Sequence, residues 1–119
     1  MREICEGICR MHGATCTFEY THEFAPTVNW EQCVPVALEA ARNIVGDERV
    51  NGAVDPMMIS EDFGAFLQVV PGAFVFIGNG ESGTAGGIPL HNSRYDFNDD
   101  VLTVGAKYFA EVARVALPA

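Results

Sequence analysis

The residues best suited to do chemistry gather in Gly86-Gly87-Ile88-Pro89-Leu90-His91-Asn92-Ser93-Arg94-Tyr95-Asp96-Phe97-Asn98-Asp99-Asp100. This stretch sets one histidine at the end of a Gly-rich loop, adds polar turn residues, and then opens a long apolar-striped helix. A histidine held in a short loop between regular elements suits metal ligation or proton transfer. Its ordinary alternative is a solvent-facing residue that caps a turn. One imidazole cannot build a metal centre alone, so the stretch reads as part of a larger site. Asp96, Asp99 and Asp100 have the composition of an acidic metal cluster. They read better as a helix N-terminus, with Asn98 or Asp99 as the cap.

Other candidates are weaker. The four cysteines include no C-x-x-C pair, so a zinc ribbon or redox motif has no support. Cys5, Cys9 and His12 could form a metal patch. The plainer reading is reduced thiols used as small buried apolar groups, Cys16 and Cys33 included. His22 falls near the end of an alternating segment and has no second ligand beside it. Glu61 lies in the first turn of a predicted helix, where negative charge suits the helix dipole without any further role.

The elements that must position these residues follow from periodicity. Residues 2–12 read as a helix with Ile4, Ile8 and Met11 on one stripe, a Glu6–Arg10 pair and a stop at Gly13. The pattern starts with no capping residue before it, which suggests a truncated N-terminus. Residues 14–24 alternate, with Cys16, Phe18, Tyr20 and His22 on one face, as in a half-exposed strand. Pro26 ends it, and Ala25-Pro26-Thr27-Val28 reads as a connection between two units. Asn29, with Gln32 three residues on, resembles a capping box for a helix to Val45 that stops at Gly46. Pro35 should separate its first turn from the rest. Residues 50–54 form a short extended piece. Ser60 is placed to cap a helix that carries Phe63, Phe66, Leu67 and Val70 inward. Residues 73–78 are a continuous apolar run, expected as a strand covered on both faces. Residues 99–117 form a nearly all-apolar, substantially buried helix.

Composition sets the outer bounds. The chain has 119 residues, 49% of them apolar, enough for one domain with a core. Its net charge of -9 argues against nucleic acid and against an anionic membrane as partners. There is no run of roughly 20 apolar residues and no basic-then-apolar leader, so a cytoplasmic location is expected.

Three motifs then carry a resemblance. Ser60-Glu61-Asp62-Phe63, Val70 to Gly78, and Pro89-Leu90-His91-Asn92 followed by Tyr95-Asp96-Phe97-Asn98-Asp99 resemble, in order, the C-terminal part of the M20 metallopeptidase family. The branch that includes hippurate hydrolase and the indole-acetyl-amino-acid hydrolases is the most similar. Ala25-Pro26-Thr27-Val28-Asn29 resembles the crossing from that family's lid domain back into its catalytic domain. The resemblance implies an α/β fold: residues 29–119 as part of a catalytic domain with a mixed sheet and flanking helices, and residues 1–28 as the last helix and strand of a ferredoxin-like lid. It implies a two-metal amidohydrolase that uses Mn, Zn, Ni or Co and cleaves N-acyl amino acids. His91 matches the C-terminal metal ligand. Glu61, Asn92, Gly86 and Gly87 match residues around the site. Asp62, Asp96 or Asp99 could orient the imidazole. The remaining ligands and the general base belong to the family's N-terminal portion, so this chain alone is expected to be catalytically silent. A homo-oligomer is expected through the unpaired edge of 14–24. The competing readings are a small acidic non-enzymatic interaction module, and a structural remnant of a truncated gene.

Overall fold

The partners that the backbone polar groups find decide this architecture. The computed structural model describes residues 1–84 and 86–117. They form four helices: α1 (Arg2–Met11), α2 (Val34–Val45), α3 (Phe63–Leu67) and α4 (Leu102–Ala116). Single 3-10 turns cover Asp47–Arg49 and Asp99–Val101. Among the described residues no helix is long and apolar enough to cross a membrane.

The expected α/β class is corrected. No strand forms among the described residues, and the segments 14–24, 50–54 and 73–78 join no ladder. The local period of two is nonetheless present. Phe18 and Tyr20 stack with centroids 6.4 Å apart, Tyr20 and His22 meet edge-on at 4.9 Å, and Phe74 and Phe76 at 5.1 Å. Contacts between residues two apart are what extended backbone produces. A sheet also requires a neighbouring backbone to take up the N–H and C=O groups. Side chains take that place here. The Asn29 side chain accepts from the Phe74 N–H at 2.7 Å and donates to the Phe74 carbonyl at 2.9 Å. The Arg2 Nη2 donates to the Phe18 carbonyl at 3.2 Å.

Helix α1 ends as the sequence requires. Gly13, at φ +65°, donates to the Arg10 carbonyl, and the Ala14 N–H donates to the Cys9 carbonyl at 2.8 Å. This is a Schellman closure, which uses glycine because the left-handed backbone disfavours a Cβ. Glu6 pairs with both Arg2 and Arg10 at 4.0 Å. The Ile4, Ile8 and Met11 stripe stays exposed, and α1 packs on none of the other helices.

Helix α2 starts at Val34 with Pro35 in its first turn, where no intrahelical bond is lost. Asn29 therefore does not cap it. Helix α2 packs against α4 and contributes the buried Ala37 and Ala40, while α4 contributes Tyr108. Burial pushes the Tyr108 phenol above its ordinary value. The Glu111 carboxylate clamps the pair: it accepts from Asn43 of α2 at 2.7 Å and from the Arg114 guanidinium at 2.6 and 2.8 Å.

The core is small. Leu67 completes the buried hydrophobic set, no large side chain is fully buried, and Val75, Phe76 and Ile77 are each at least 41% exposed. That overturns the expectation of a segment covered on both faces. Helix α4 buries Tyr108 but leaves Phe109 72% exposed, so it is not the substantially buried helix its composition suggested. Phe66 and Val70 also point outward. The radius of gyration is 20.2 Å, against roughly 13–14 Å for a compact domain of this length.

Candidate functional site

The His91 loop is organised by a residue that sequence reasoning passed over. The Asn79 side chain donates to the Gly86 carbonyl at 2.9 Å and the Asp96 carbonyl at 3.1 Å, and accepts from the Asn98 N–H at 2.9 Å. One amide thus fixes both ends of the loop to the end of the 73–78 segment. Asn98 in turn accepts from the Asp100 N–H at 3.2 Å and starts the turn into α4, as its capping role predicts. The clue available in sequence is an asparagine between two glycines, Gly78 and Gly80, and it does not say which groups the amide meets.

Gly86 and Gly87 have a steric reason to be glycine. A Cβ on Gly86 would run into the Asn79 backbone carbonyl, and one on Gly87 into the Glu81 carbonyl. Gly86 also sits at φ +74°.

His91 is exposed and adopts φ +67°, the left-handed region. The Asn92 N–H donates to the Pro89 carbonyl at 3.3 Å, so His91 is the third residue of a β-turn, where a positive φ favours Gly or Asn. Asn92 then shapes the next turn, its Oδ1 accepting from the Arg94 N–H at 2.9 Å. Strain of this kind at a non-glycine residue is a marker of functional sites.

Glu61 lies elsewhere. Its Oε1 accepts from the Asp62 N–H at 3.0 Å and the Phe63 N–H at 3.2 Å. The N-cap position of α3 is thus Asp62 and not Ser60 as expected, and Glu61 just before it takes up the N–H groups of Asp62 and Phe63. Gly64 in α3 approaches the Ala25 carbonyl so closely that a Cβ would sit 2.8 Å from it. Trp30, also passed over, holds this region by donating its indole N–H to the Leu67 carbonyl at 2.8 Å.

The structure does not bring the candidate residues into one cavity. Gly86 and Gly87 line an apolar hollow of about 700 Å³ against α4. Glu61 lines a larger cleft of about 1510 Å³ between residues 20–29, α2 and residues 73–78. His91 and Asn92 line neither. Among the described residues no group of three or more His, Cys, Asp or Glu side chains could hold a metal ion. That result removes the Cys5, Cys9 and His12 patch. Nor are the cysteines core groups: Cys16 is exposed and Cys5, Cys9 and Cys33 are half-buried.

The model of peptidase family M20/M25/M40 matches residues 4–115, and the chain belongs to that family. It is 32% identical over 111 residues to the hippurate hydrolase of Campylobacter jejuni, covering 93% of this chain and 28% of that protein. It is 32% identical over 114 residues to thermostable carboxypeptidase 1 of Saccharolobus solfataricus, covering 95% of this chain and 28% of that protein. It is 35% identical over 88 residues to the IAA-amino acid hydrolase ILR1-like 2 of Arabidopsis thaliana, covering 74% of this chain and 20% of that protein. The chain thus spans less than a third of these relatives. No solved structure matches it. Peptidases of this family generally depend on divalent metal. The described residues, with His91 exposed and no group of three or more His, Cys, Asp or Glu side chains among them, do not by themselves fit such an ion.

Proposed function

We propose that this chain is the C-terminal part of a two-metal amidohydrolase that cleaves the amide bond of N-acyl amino acids such as hippurate. His91 contributes one ligand to Mn, Zn, Ni or Co, and residues outside this chain contribute the others. Asn92, Gly86 and Gly87 shape the loop backbone beside His91, and Glu61 acts from a separate position, at the start of α3. Residues 1–28 and 29–119 belong to different domains of the longer protein, a lid and a catalytic domain; in favour of this, α1 packs on no other helix.

The observation that carries the reading is the His91 backbone. A turn that would form more cheaply with glycine holds an imidazole instead. The names of the relatives support the substrate class, since hippurate is itself an N-acyl amino acid. A self-contained interaction module would cover its own apolar surface, whereas this chain leaves most of its large hydrophobics exposed. The same exposed surface supports assembly into a homo-oligomer.

The test is a polypeptide of the relatives' length that carries this sequence, compared with its His91→Ala variant. Metal analysis and hippurate hydrolysis should both fall in the variant. Unchanged metal content would overturn the ligand role.

A further inference from the structure

We propose that Asn51-Gly52 is a self-modification site, at which Asn51 closes on the Gly52 nitrogen, loses ammonia and opens with water to aspartate and isoaspartate. The proposal does not rest on the hydrolase reading. The sequence holds two Asn-Gly pairs, Asn51-Gly52 and Asn79-Gly80, and the structure gives them opposite surroundings. Asn51 is exposed, and among the described residues its amide makes one hydrogen bond, accepted by Oδ1 from the Ala53 N–H at 2.9 Å. Such a turn folds the side chain back over the following peptide, which sets Cγ beside the Gly52 nitrogen. Gly52 is also exposed, and its N–H makes no hydrogen bond among the described residues. With no Cβ, nothing on Gly52 obstructs the approach. Asn79 is half-buried and its amide is committed. Its Nδ2 donates to the Gly86 and Asp96 carbonyls, and its Oδ1 accepts from the Asn98 N–H.

The chemistry needs only solvent. The Gly52 nitrogen gives its proton to hydroxide and bonds to Asn51 Cγ. Negative charge gathers on Oδ1, where the Ala53 N–H already donates, so the turn supplies one oxyanion donor. The Cγ–Nδ2 bond then breaks, and Nδ2 takes a proton from water and leaves as ammonia. A second water opens the succinimide: its hydroxyl joins one carbonyl carbon and its hydrogen returns to the Gly52 nitrogen. Opening at Cγ gives aspartate. Opening at the main-chain carbonyl gives isoaspartate, whose main chain runs through Cβ. Nothing is oxidised or reduced. The product places a new carboxylate where the chain lies against α2, since a Cβ on Gly52 would sit 3.0 Å from Leu38 Cδ1. Asn92 makes the same kind of turn, its Oδ1 accepting from the Arg94 N–H at 2.9 Å, but Ser93 follows it. The serine side chain obstructs the approach that Gly52 leaves open.

The test ages the whole chain at mildly alkaline pH and then cleaves it after glutamate. Asn51 falls on peptide 49–61, Asn79 on peptide 62–81, and Asn92 with Asn98 on peptide 82–111. Mass spectrometry follows the exchange of NH2 for OH in each, and fragmentation assigns it to a residue. Peptide 49–61 should convert faster than 62–81 by on the order of tenfold or more, since Asn79 must first release its hydrogen bonds. Peptide 82–111 should also lag. In urea the two Asn-Gly peptides should convert at comparable rates, because the folded surroundings are gone. Gly52→Ala should slow peptide 49–61 with and without urea, which direct attack of water on the amide would not require. Three results would overturn the proposal: equal conversion of 49–61 and 62–81 in the folded chain, the same bias persisting in urea, or a Gly52→Ala chain that converts as fast as the wild type.

Discussion

At the scale of the residue, His91 and Asn79 divide the work of the candidate site. His91 holds φ +67°, a conformation that costs an ordinary residue about 1–2 kcal/mol. His91→Gly should therefore leave thermal stability unchanged or raise it by up to ~1 kcal/mol, part of the relief being offset by the freer unfolded chain. A loss of more than that by calorimetry would show that the imidazole is a structural prop. Asn79 behaves oppositely. Asn79→Ala removes three hydrogen bonds, each worth about 1 kcal/mol net, so hydrogen exchange at the Asn98 amide should accelerate by well over tenfold. Unaltered exchange there would remove Asn79 from the account. His91 stood out in the sequence as a candidate because an imidazole can ligate a metal or carry a proton and this one sits in a glycine-rich loop. Asn79 did not, because an amide's worth depends on which backbone groups surround it, and those are two carbonyls 7 and 17 positions away and an N–H 19 positions away.

At the scale of the element, helices were legible and strands were not, for one physical reason. A helix satisfies its own backbone, so apolar period and stop residues suffice: Gly13 and Gly46 end α1 and α2 as expected. A strand borrows its hydrogen bonds, and the alternation in 14–24 and the apolar run 73–78 say nothing about who lends them. Phe74 finds the Asn29 amide instead. The length of α3 was also misjudged, because its N-cap position is Asp62, two residues later than Ser60, and it stops at Leu67. The α2–α4 pair carries a pH prediction. The Arg114 guanidinium first, and then the Asn43 amide, hold the Glu111 carboxyl down at about 2. In the unfolded chain it titrates near ~4.3. The unfolded state therefore binds the extra proton first on acidification. The stabilisation is fully present above about pH 5 and is lost as pH falls towards about 2. Thermal midpoints in that window should decline in the wild type and lose this component in Glu111→Gln. Parallel curves for the two proteins would contradict the clamp.

At the scale of the whole molecule, the chain is elongated, 67 × 38 × 21 Å, with a core limited to a few side chains from α2, α3 and α4. Apolar content of 49% promised a core, yet composition cannot say whether apolar groups find one another. In this chain many of them, from Ile4 to Phe109, face outward. Exposed surface of this kind drives association, so sedimentation across the micromolar range should show dimers or larger species. A strictly monomeric chain would count against the proposed homo-oligomer. The family was legible before the fold because its motifs lie in loops and helix starts, at Ser60–Phe63 and Pro89–Asn92, which need no sheet to be recognised. On the proposed reading this chain carries one part of an M20 hydrolase centre and not the whole. Its most direct test is a hippurate hydrolysis assay of the purified 119-residue chain with Mn²⁺, Zn²⁺, Ni²⁺ or Co²⁺ added. No turnover above the metal-only blank is expected. Metal-dependent release of glycine by this chain, abolished by His91→Ala, would contradict it.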